Sequence, residues 1–290
     1  MQSSQRNAII LAAGTSSRFV PLSFECPKGL LEVKNEILIE RQIRQLREAG
    51  ISDITIVTGY KADMFEYLNH KYGVDIVFNA DYNRYNNISS IIRVLDRLQN
   101  TYICSSDNYF ANNVFIERSE CSYYSALYAE GATDEYCMTT DSEGCITSVS
   151  VGGHDSWYMI GHVYFSAIFS SKFKEIVVRE YENEPVRHGY WEDVYIRHID
   201  ELPKMRIHSY GLHDIFEFDT LDELRQFDST YRSNTRSCII KHIAELLGCG
   251  EENLYCFRNQ SHSENELRFT FMKGSDSFEY NHSLNQLRRL

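Results

Sequence analysis

In the first part of the chain the hydrophobic pattern switches between short solid runs and a 3.6-residue repeat. Residues 8–13 read as a short buried strand. Residues 36–50 put Ile39, Ile43 and Leu46 on one helical face and end at Gly50, a natural helix stop. Residues 53–60 read as a buried strand, 61–73 as a helix closed by Gly73, and 74–79 as a strand. Residues 87–98 read as a helix with Asn87 as candidate N-cap, and 101–110 as a strand running into an acidic turn at Asp107. Strands and helices alternating at this spacing predict an α/β fold with a mostly parallel central sheet wrapped by helices. In such sheets ligands bind beyond the carboxyl ends of the strands. The loop at Gly14, the Gly59-Tyr60 turn and Asp107 all fall at such ends.

The pattern changes near Cys121. Four strand-like runs follow one another, at 121–130, 135–143, 145–153 and 157–166, and predict a tyrosine-rich, more antiparallel extension. Helices are expected near 168–180 and 191–201, then a strand at 205–211 and the stretch "IFEFDTLDELRQFD". In that stretch either Asp219 or Thr220 would cap the helix. After Ser229 the chain reads as a polar linker ("YRSNTRS"), an amphipathic helix ("CIIKHIAELLG") and three short strands. The expected organisation is a large domain over 1–228 and a small helix-plus-strands appendage over 229–290.

Composition narrows the classes. The chain has 290 residues, 43% hydrophobic and 24% charged, ordinary for a globular protein. There is no apolar run of about 18 residues and no apolar leader at the start, so the reading is a cytoplasmic protein without a membrane span. A net charge of −12 argues against broad nucleic-acid binding, though a few local cations suffice for a nucleotide. The eight cysteines are scattered singly and the ten histidines show no metal spacing, so reduced thiols and no zinc site are expected.

The candidate chemistry starts at "AIILAAGTSSRFVPLSFECPKGLLEV". After the first strand, Gly14, Thr15, Ser16 and Ser17 let the backbone approach a ligand closely, and Arg18 and Lys28 flank the loop with positive charge. A strand feeding a small-residue loop beside two cations suits a polyphosphate. It is neither the dinucleotide G-x-G-x-x-G nor a G-K-[ST] phosphate loop.

The run Leu11-Ala12-Ala13-Gly14-Thr15-Ser16-Ser17-Arg18-Phe19, followed by Pro27-Lys28, resembles the signature of sugar-phosphate and alcohol-phosphate nucleotidyltransferases. "VTGY" at 57–60, "YGVDIVFN" at 72–79, "YNRYNNISS" at 82–90, "SSDNYF" at 105–110, "GYWED" at 189–193 and "IFEFD" at 215–219 extend the resemblance to the bacterial phosphocholine cytidylyltransferases of the LicC type, over roughly residues 7–228. The resemblance implies a Rossmann-like three-layer fold. It also implies transfer of CMP from CTP to phosphocholine, with Mg2+, giving CDP-choline and pyrophosphate. Such a reaction needs charge neutralisation and in-line positioning more than a protein nucleophile.

The roles implied follow the matching positions. Lys28 would contact the α-phosphate and the attacking oxygen, and Arg18 the β- and γ-phosphates. Leu11, Ala12, Ala13 and Gly14 would line the nucleotide, with Tyr60, Asn86, Asn87 and Ser89 near cytosine. Asn87 and Ser89 also make sense as helix-start residues. Asp107 and Asp219 would bind the metal. On the acceptor side a quaternary ammonium wants aromatic faces and a nearby acid. Tyr136, Tyr190, Trp191 and Glu192 are the candidates, with Trp157 a further wall. Tyr136 stands where the family commonly has tryptophan, and Glu192 where it has aspartate. Phosphoethanolamine, aminoethylphosphonate or a sugar 1-phosphate therefore stay open as acceptors. A catalytically inactive nucleotide-binding regulator is the alternative from another class. The tail resembles the opening of a choline-kinase-type domain around "NELRFTFMKGSDSFEYNH", without a kinase catalytic loop; a packing or dimerisation appendage is the other reading.

Overall fold

The computed structural model describes residues 5–116, 119–261 and 266–290. Residues 1–4, and Asn265 at the head of the tail stretch quoted above, lie outside the described residues. The chain divides into two compact units, Met1–Gly14 with Leu38–Glu217, and Thr15–Ile37 with Phe218–Leu290.

The first unit is built on a seven-stranded sheet. Its strands are β1 (Arg6–Ala12), β2 (Asp53–Thr58), β3 (Asp75–Phe78), β4 (Asn100–Ser105), β5 (Tyr123–Thr140), β6 (Ile146–Phe165) and β7 (Arg206–Ser209). Their spatial order is β7-β5-β6-β4-β1-β2-β3. β1 pairs in parallel with β2 and β4, β2 with β3, and β7 with β5; β6 runs antiparallel to β4 and β5. The expected mixed, mostly parallel sheet is present. The chain runs outward from β1 through β2 to β3, then returns to the other side of β1 at β4. That reversal is a topological switch point, where such sheets open a crevice at the carboxyl ends of the strands.

Helix α1 (Leu38–Glu48) buries Ile39, Ile43 and Leu46, the face the sequence repeat predicts, and Gly50 takes φ +81° beyond its end. The stretch 61–73, read as one helix, is a 3-10 turn (Ala62–Phe65) and a short helix (Tyr67–Tyr72) closed by Gly73 at φ +59°. Helices α2 (Ile88–Arg93), α3 (Ala167–Glu180) and α4 (Trp191–Arg197) share one apolar core with the sheet. Ile88, Ile91, Phe169, Phe173, Trp191 and Val194 meet Ile9, Val57, Ile103 and Val163 there.

The four strand-like runs after Cys121 are halves of two long strands. β5 and β6 pair with register shifts between Ala129 and Ala132 and between Thr133 and Tyr136. Cys137 pairs with both Ser150 and Tyr158, so the far half of the hairpin lies back beside its own near half. Gly153 permits this. A Cβ there would lie 2.8 Å from the Cys137 sulfur.

In the second unit a four-stranded antiparallel sheet, β8 (Tyr255–Asn259), β9 (Arg268–Lys273), β10 (Asp276–Asn281) and β11 (Gln286–Arg289), is paired in chain order. Three strands were expected; Gln286–Arg289 is the fourth, too polar to stand out as a buried run. Helix α5 (Leu221–Phe227) opens the Phe218–Leu290 segment, and α6 (Cys238–Leu246) buries Ile239, Ile240 and Ile243, with Ser237 accepting from the Ile240 amide at 3.1 Å. Phe257, Phe269, Phe271 and Tyr280 form an aromatic core that Phe24 joins, 6.0 Å from Phe269. Glu25 accepts from the Cys238 amide at 2.8 Å, and Tyr231 donates its hydroxyl to the Glu32 carbonyl at 2.9 Å. These bonds make one unit of two segments far apart in sequence. They also correct the linker reading of "YRSNTRS": Tyr231 and Thr235 are wholly buried, and Thr230–Ser233 is a helical turn. Among the described residues no helix is long and apolar enough to cross a membrane.

Candidate active site

At the switch point in the first unit, β1 and β4 end side by side with Leu11 opposite Ser105, and the Ser106 amide donates to the Leu11 carbonyl at 3.1 Å. Ala12 and Ala13 are buried, and Gly14 is exposed beyond them. The Ala13 carbonyl accepts from the Tyr60 amide at 3.1 Å, which brings the end of β2 to the same place. Gly59 is required by this closeness: a Cβ would lie 2.8 Å from the Ala13 oxygen and 2.5 Å from the Tyr82 Cβ. Asp107, just past β4, accepts from the Ser105 hydroxyl at 2.6 Å. The three strand ends that the sequence pointed at one crevice are therefore adjacent.

The Asn86–Ser89 turn is built mostly of its own hydrogen bonds. The Asn86 side-chain oxygen accepts from the Asn87 amide at 3.0 Å. Ser89 is wholly buried; its hydroxyl donates to the Asn86 carbonyl at 2.8 Å and accepts from Asn79 at 2.8 Å. Asn87 occupies the N-cap position of α2, but its side chain makes no capping bond. It turns instead to the start of α4, where its oxygen accepts from the Trp191 amide at 2.8 Å and its nitrogen donates to Glu192 at 3.2 Å.

Tyr190, Trp191 and Glu192 open α4. Trp191 is only 2% exposed, stacked on Tyr124 at 5.9 Å with Phe165 and Phe173 edge-on. It is a core ring, where the sequence reading made it a pocket wall. Period-3.6 apolar positions and ligand walls look alike in sequence, and here the ring faces the α3 core. Tyr190 is exposed, and its amide donates to Asp193 at 2.7 Å, fixing the helix start. Glu192 is partly buried and accepts from Tyr124 at 3.3 Å and from Asn87. Withdrawal from water pushes its carboxyl up to about 7, against the lowering effect of its own backbone amide and of the Asn87 and Tyr124 donors. Tyr136 donates to Asp193 at 3.3 Å and is pushed up to about 12, first by burial and then by the charge of Asp193 and Glu192. Burial raises Tyr158 as well, with Glu135 and Glu217 contributing. Glu217 in turn accepts from Asn108 at 3.2 Å. Trp157 meets Tyr128 edge-on at 5.2 Å.

Acids and tyrosines thus surround one region, with Tyr124, Asp193 and Glu217 added to those read from sequence. Asp193 and Glu217 stand beside residues already singled out, in "GYWED" and "IFEFD". Tyr124 had no signal that set it apart from the chain's other tyrosines.

In the second unit Lys28 is 5% exposed, its ammonium 5.8 Å from the Phe19 ring centre and 3.9 Å from Asp219. The exposed Arg18 lies 2.8 Å from the other Asp219 oxygen. Thr220, not Asp219, caps α5, accepting from the Glu223 amide at 3.3 Å. That leaves the Asp219 carboxylate to the two cations. Among the described residues no three His, Cys, Asp or Glu side chains gather as a metal cage. Mg2+ does not need one: it takes one or two carboxylate oxygens and fills the rest with phosphate and water. Asp107 belongs to the first unit and Asp219 to the second.

Comparison with known proteins bears on the same features. Residues 8–132 match the MobA-like NTP transferase domain. The choline-phosphate cytidylyltransferase of Streptococcus pneumoniae is 31% identical over 226 residues, 78% of this chain and 98% of that protein. The 2-aminoethylphosphonate cytidylyltransferase of Lancefieldella rimae is 35% identical over 229 residues, 78% of this chain and 93% of that protein. The solved structure of the S. pneumoniae CTP:phosphocholine cytidylyltransferase superposes with a TM-score of 0.75 at 32% identity, covering 78% of this chain and 99% of that one. The chain belongs to this nucleotidyltransferase family and is an enzyme of the cytidylyltransferase type, acting on a phosphate acceptor.

Proposed function

We propose that the enzyme transfers CMP from CTP to phosphocholine, releasing pyrophosphate and forming CDP-choline by direct in-line attack of the acceptor phosphate. The observation that carries the acceptor class is the pair Glu192 and Asp193 at the start of α4, held by the hydroxyls of Tyr124 and Tyr136. Carboxylates set among aromatic rings suit an organic cation joined to a phosphate. Arg18 and Lys28 would take the triphosphate, with Lys28 at the α-phosphate where charge develops. The backbone of Leu11, Ala12, Ala13 and Gly14 would line the nucleotide, and Tyr60 and Asn86 would border the base. Asp107 and Asp219 would hold Mg2+, which when bound neutralises phosphate charge. We place the enzyme in the cytoplasm, with CTP and phosphocholine as its small-molecule partners.

A second reading, a primary ammonium acceptor such as 2-aminoethylphosphonate or phosphoethanolamine, is favoured by one observation. Trp191 lies in the core, and the acceptor region presents carboxylates that an N–H-bearing ammonium would satisfy with charge-assisted hydrogen bonds. Tail residues 229–290 are proposed as a packing appendage rather than a kinase lobe.

The test is pyrophosphate release with Mg2+, pairing CTP, UTP, dTTP, ATP and GTP with phosphocholine, phosphoethanolamine, 2-aminoethylphosphonate and glucose 1-phosphate. Turnover confined to CTP with phosphocholine supports the first reading. Preference for a primary amine supports the second. No release with any pair overturns both.

A further inference from the structure

Asn87 came out of the sequence as a nucleotide contact or a helix cap, and in the structure it makes neither a capping bond nor an open polar edge. Both polar atoms of its amide are engaged at the first turn of α4: the oxygen by the Trp191 amide at 2.8 Å, the nitrogen with Glu192 at 3.2 Å. Its own backbone is fixed from the other side, since the Asn86 side chain accepts its amide and the Ile91 amide donates to its carbonyl at 3.2 Å. One side chain therefore joins the start of α2 to the start of α4. The order of its contacts also matters. An amide offers an acceptor and a donor from a single rigid plane, so the two bonds set both the position of the helix start and the orientation of the Glu192 carboxyl.

We propose that Asn87 is a positioning residue for the acceptor, aiming the Glu192 carboxylate at the acceptor's ammonium group. This rests on the acceptor reading above, in either of its two forms. The other groups around Glu192 are Tyr124, which donates to its second oxygen, Tyr136 across from it on β5, and Asp193 next to it on α4; Glu217 acts on Tyr124. The neighbouring Asp193 works with burial to raise Glu192, and its own backbone amide, Asn87 and Tyr124 are the donors that favour its charged form. Without the Asn87 donor, Glu192 keeps its proton to a higher pH, and a neutral acid attracts a cation poorly.

The decisive variant is Asn87→Asp. It keeps an oxygen for the Trp191 amide and replaces the donor facing Glu192 by a second acid. At pH 7 the acceptor KM should rise about tenfold while the CTP KM stays within about twofold, and raising the pH should recover most of the loss. A general loosening of the fold has no such pH signature. Asn87→Ala, which adds no charge, should show the same direction with a smaller pH shift. In a Glu192→Gln background Asn87→Asp should add no further pH dependence.

In parallel, the carboxyl infrared band of Glu192, identified by its loss in Glu192→Gln, is titrated in the ligand-free protein. Its midpoint should move up in both Asn87 variants. A raised CTP KM with an unchanged acceptor KM, a loss equal at every pH, or an unmoved infrared midpoint overturns the proposal. Absence of turnover in the unsubstituted enzyme would instead overturn the acceptor reading, and the infrared titration would still report on the Asn87–Glu192 pair.

Discussion

Arg18 lies 2.8 Å from one oxygen of Asp219, and Lys28 lies 3.9 Å from the other. One carboxylate thus stands between the two cations proposed to take the triphosphate. The carboxylate offsets the positive charge of both side chains.

Removing Asp219 should separate activity from stability. The Arg18 pair is exposed, and such pairs contribute about 0–1 kcal/mol, while the contact with the buried Lys28 is 3.9 Å, beyond hydrogen-bond length. Asp219→Asn should leave the thermal midpoint within a few degrees while lowering kcat by about a hundredfold or more, the scale of losing a charge-stabilising group. An unfolding scan beside a pyrophosphate assay reads both. Near-normal turnover would remove Asp219 from the reaction.

Asp107→Asn should behave in the same direction. The substitution keeps an oxygen that can accept from Ser105, so the turn after β4 should survive. Turnover should fall by about two to three orders of magnitude, and raising Mg2+ should recover part of it. Loss of stability without a change in Mg2+ response would mean that the residue only shapes the turn.

Gly59→Ala tests the crowding at the end of β2. The added carbon would meet the Tyr82 Cβ at 2.5 Å and the Ala13 carbonyl at 2.8 Å. Neither can yield without moving the backbone at Tyr82 or Ala13. A loss of about 1–3 kcal/mol in unfolding free energy is expected, together with a raised CTP KM. Wild-type values for both would show that the strand ends have slack.

Glu192 links stability to pH. Its carboxyl is raised from 4.5 to about 7 by burial, so the folded state prefers the protonated form. That preference is fully present below the unfolded value and is lost as pH rises through about 7. The difference is on the order of 3 kcal/mol. Relative to Glu192→Gln, the unsubstituted protein should therefore lose thermal stability between about pH 5 and pH 8. Parallel midpoints across that range would mean that the carboxyl titrates normally. The same variant should raise the acceptor KM and leave the CTP KM unchanged.

Much of the fold was legible because its signals are local. Ile39, Ile43 and Leu46 sit at helical spacing and are buried as that spacing requires. The solid apolar run of β1 and the glycine stops at Gly50 and Gly73 have local physical causes in the same way. The hairpin of β5 and β6 was less legible, because its register shifts interrupt the alternation and divide two strands into four runs. The linker reading failed for the opposite reason. A short polar stretch hid two buried anchors, Tyr231 and Thr235, whose partners Glu32 and Glu251 lie elsewhere in the chain.

The sequence by itself determined the alternating sheet-and-helix order, the small-residue loop after the first strand and the residues that mark the family, since each depends on neighbours a few positions apart. Tertiary structure alone decided that Thr220 rather than Asp219 caps its helix, that Trp191 faces the core, and that Asn87 reaches Glu192 across a separation of 105 residues. Side-chain direction depends on what the fold brings opposite each residue, and no local pattern carries that information.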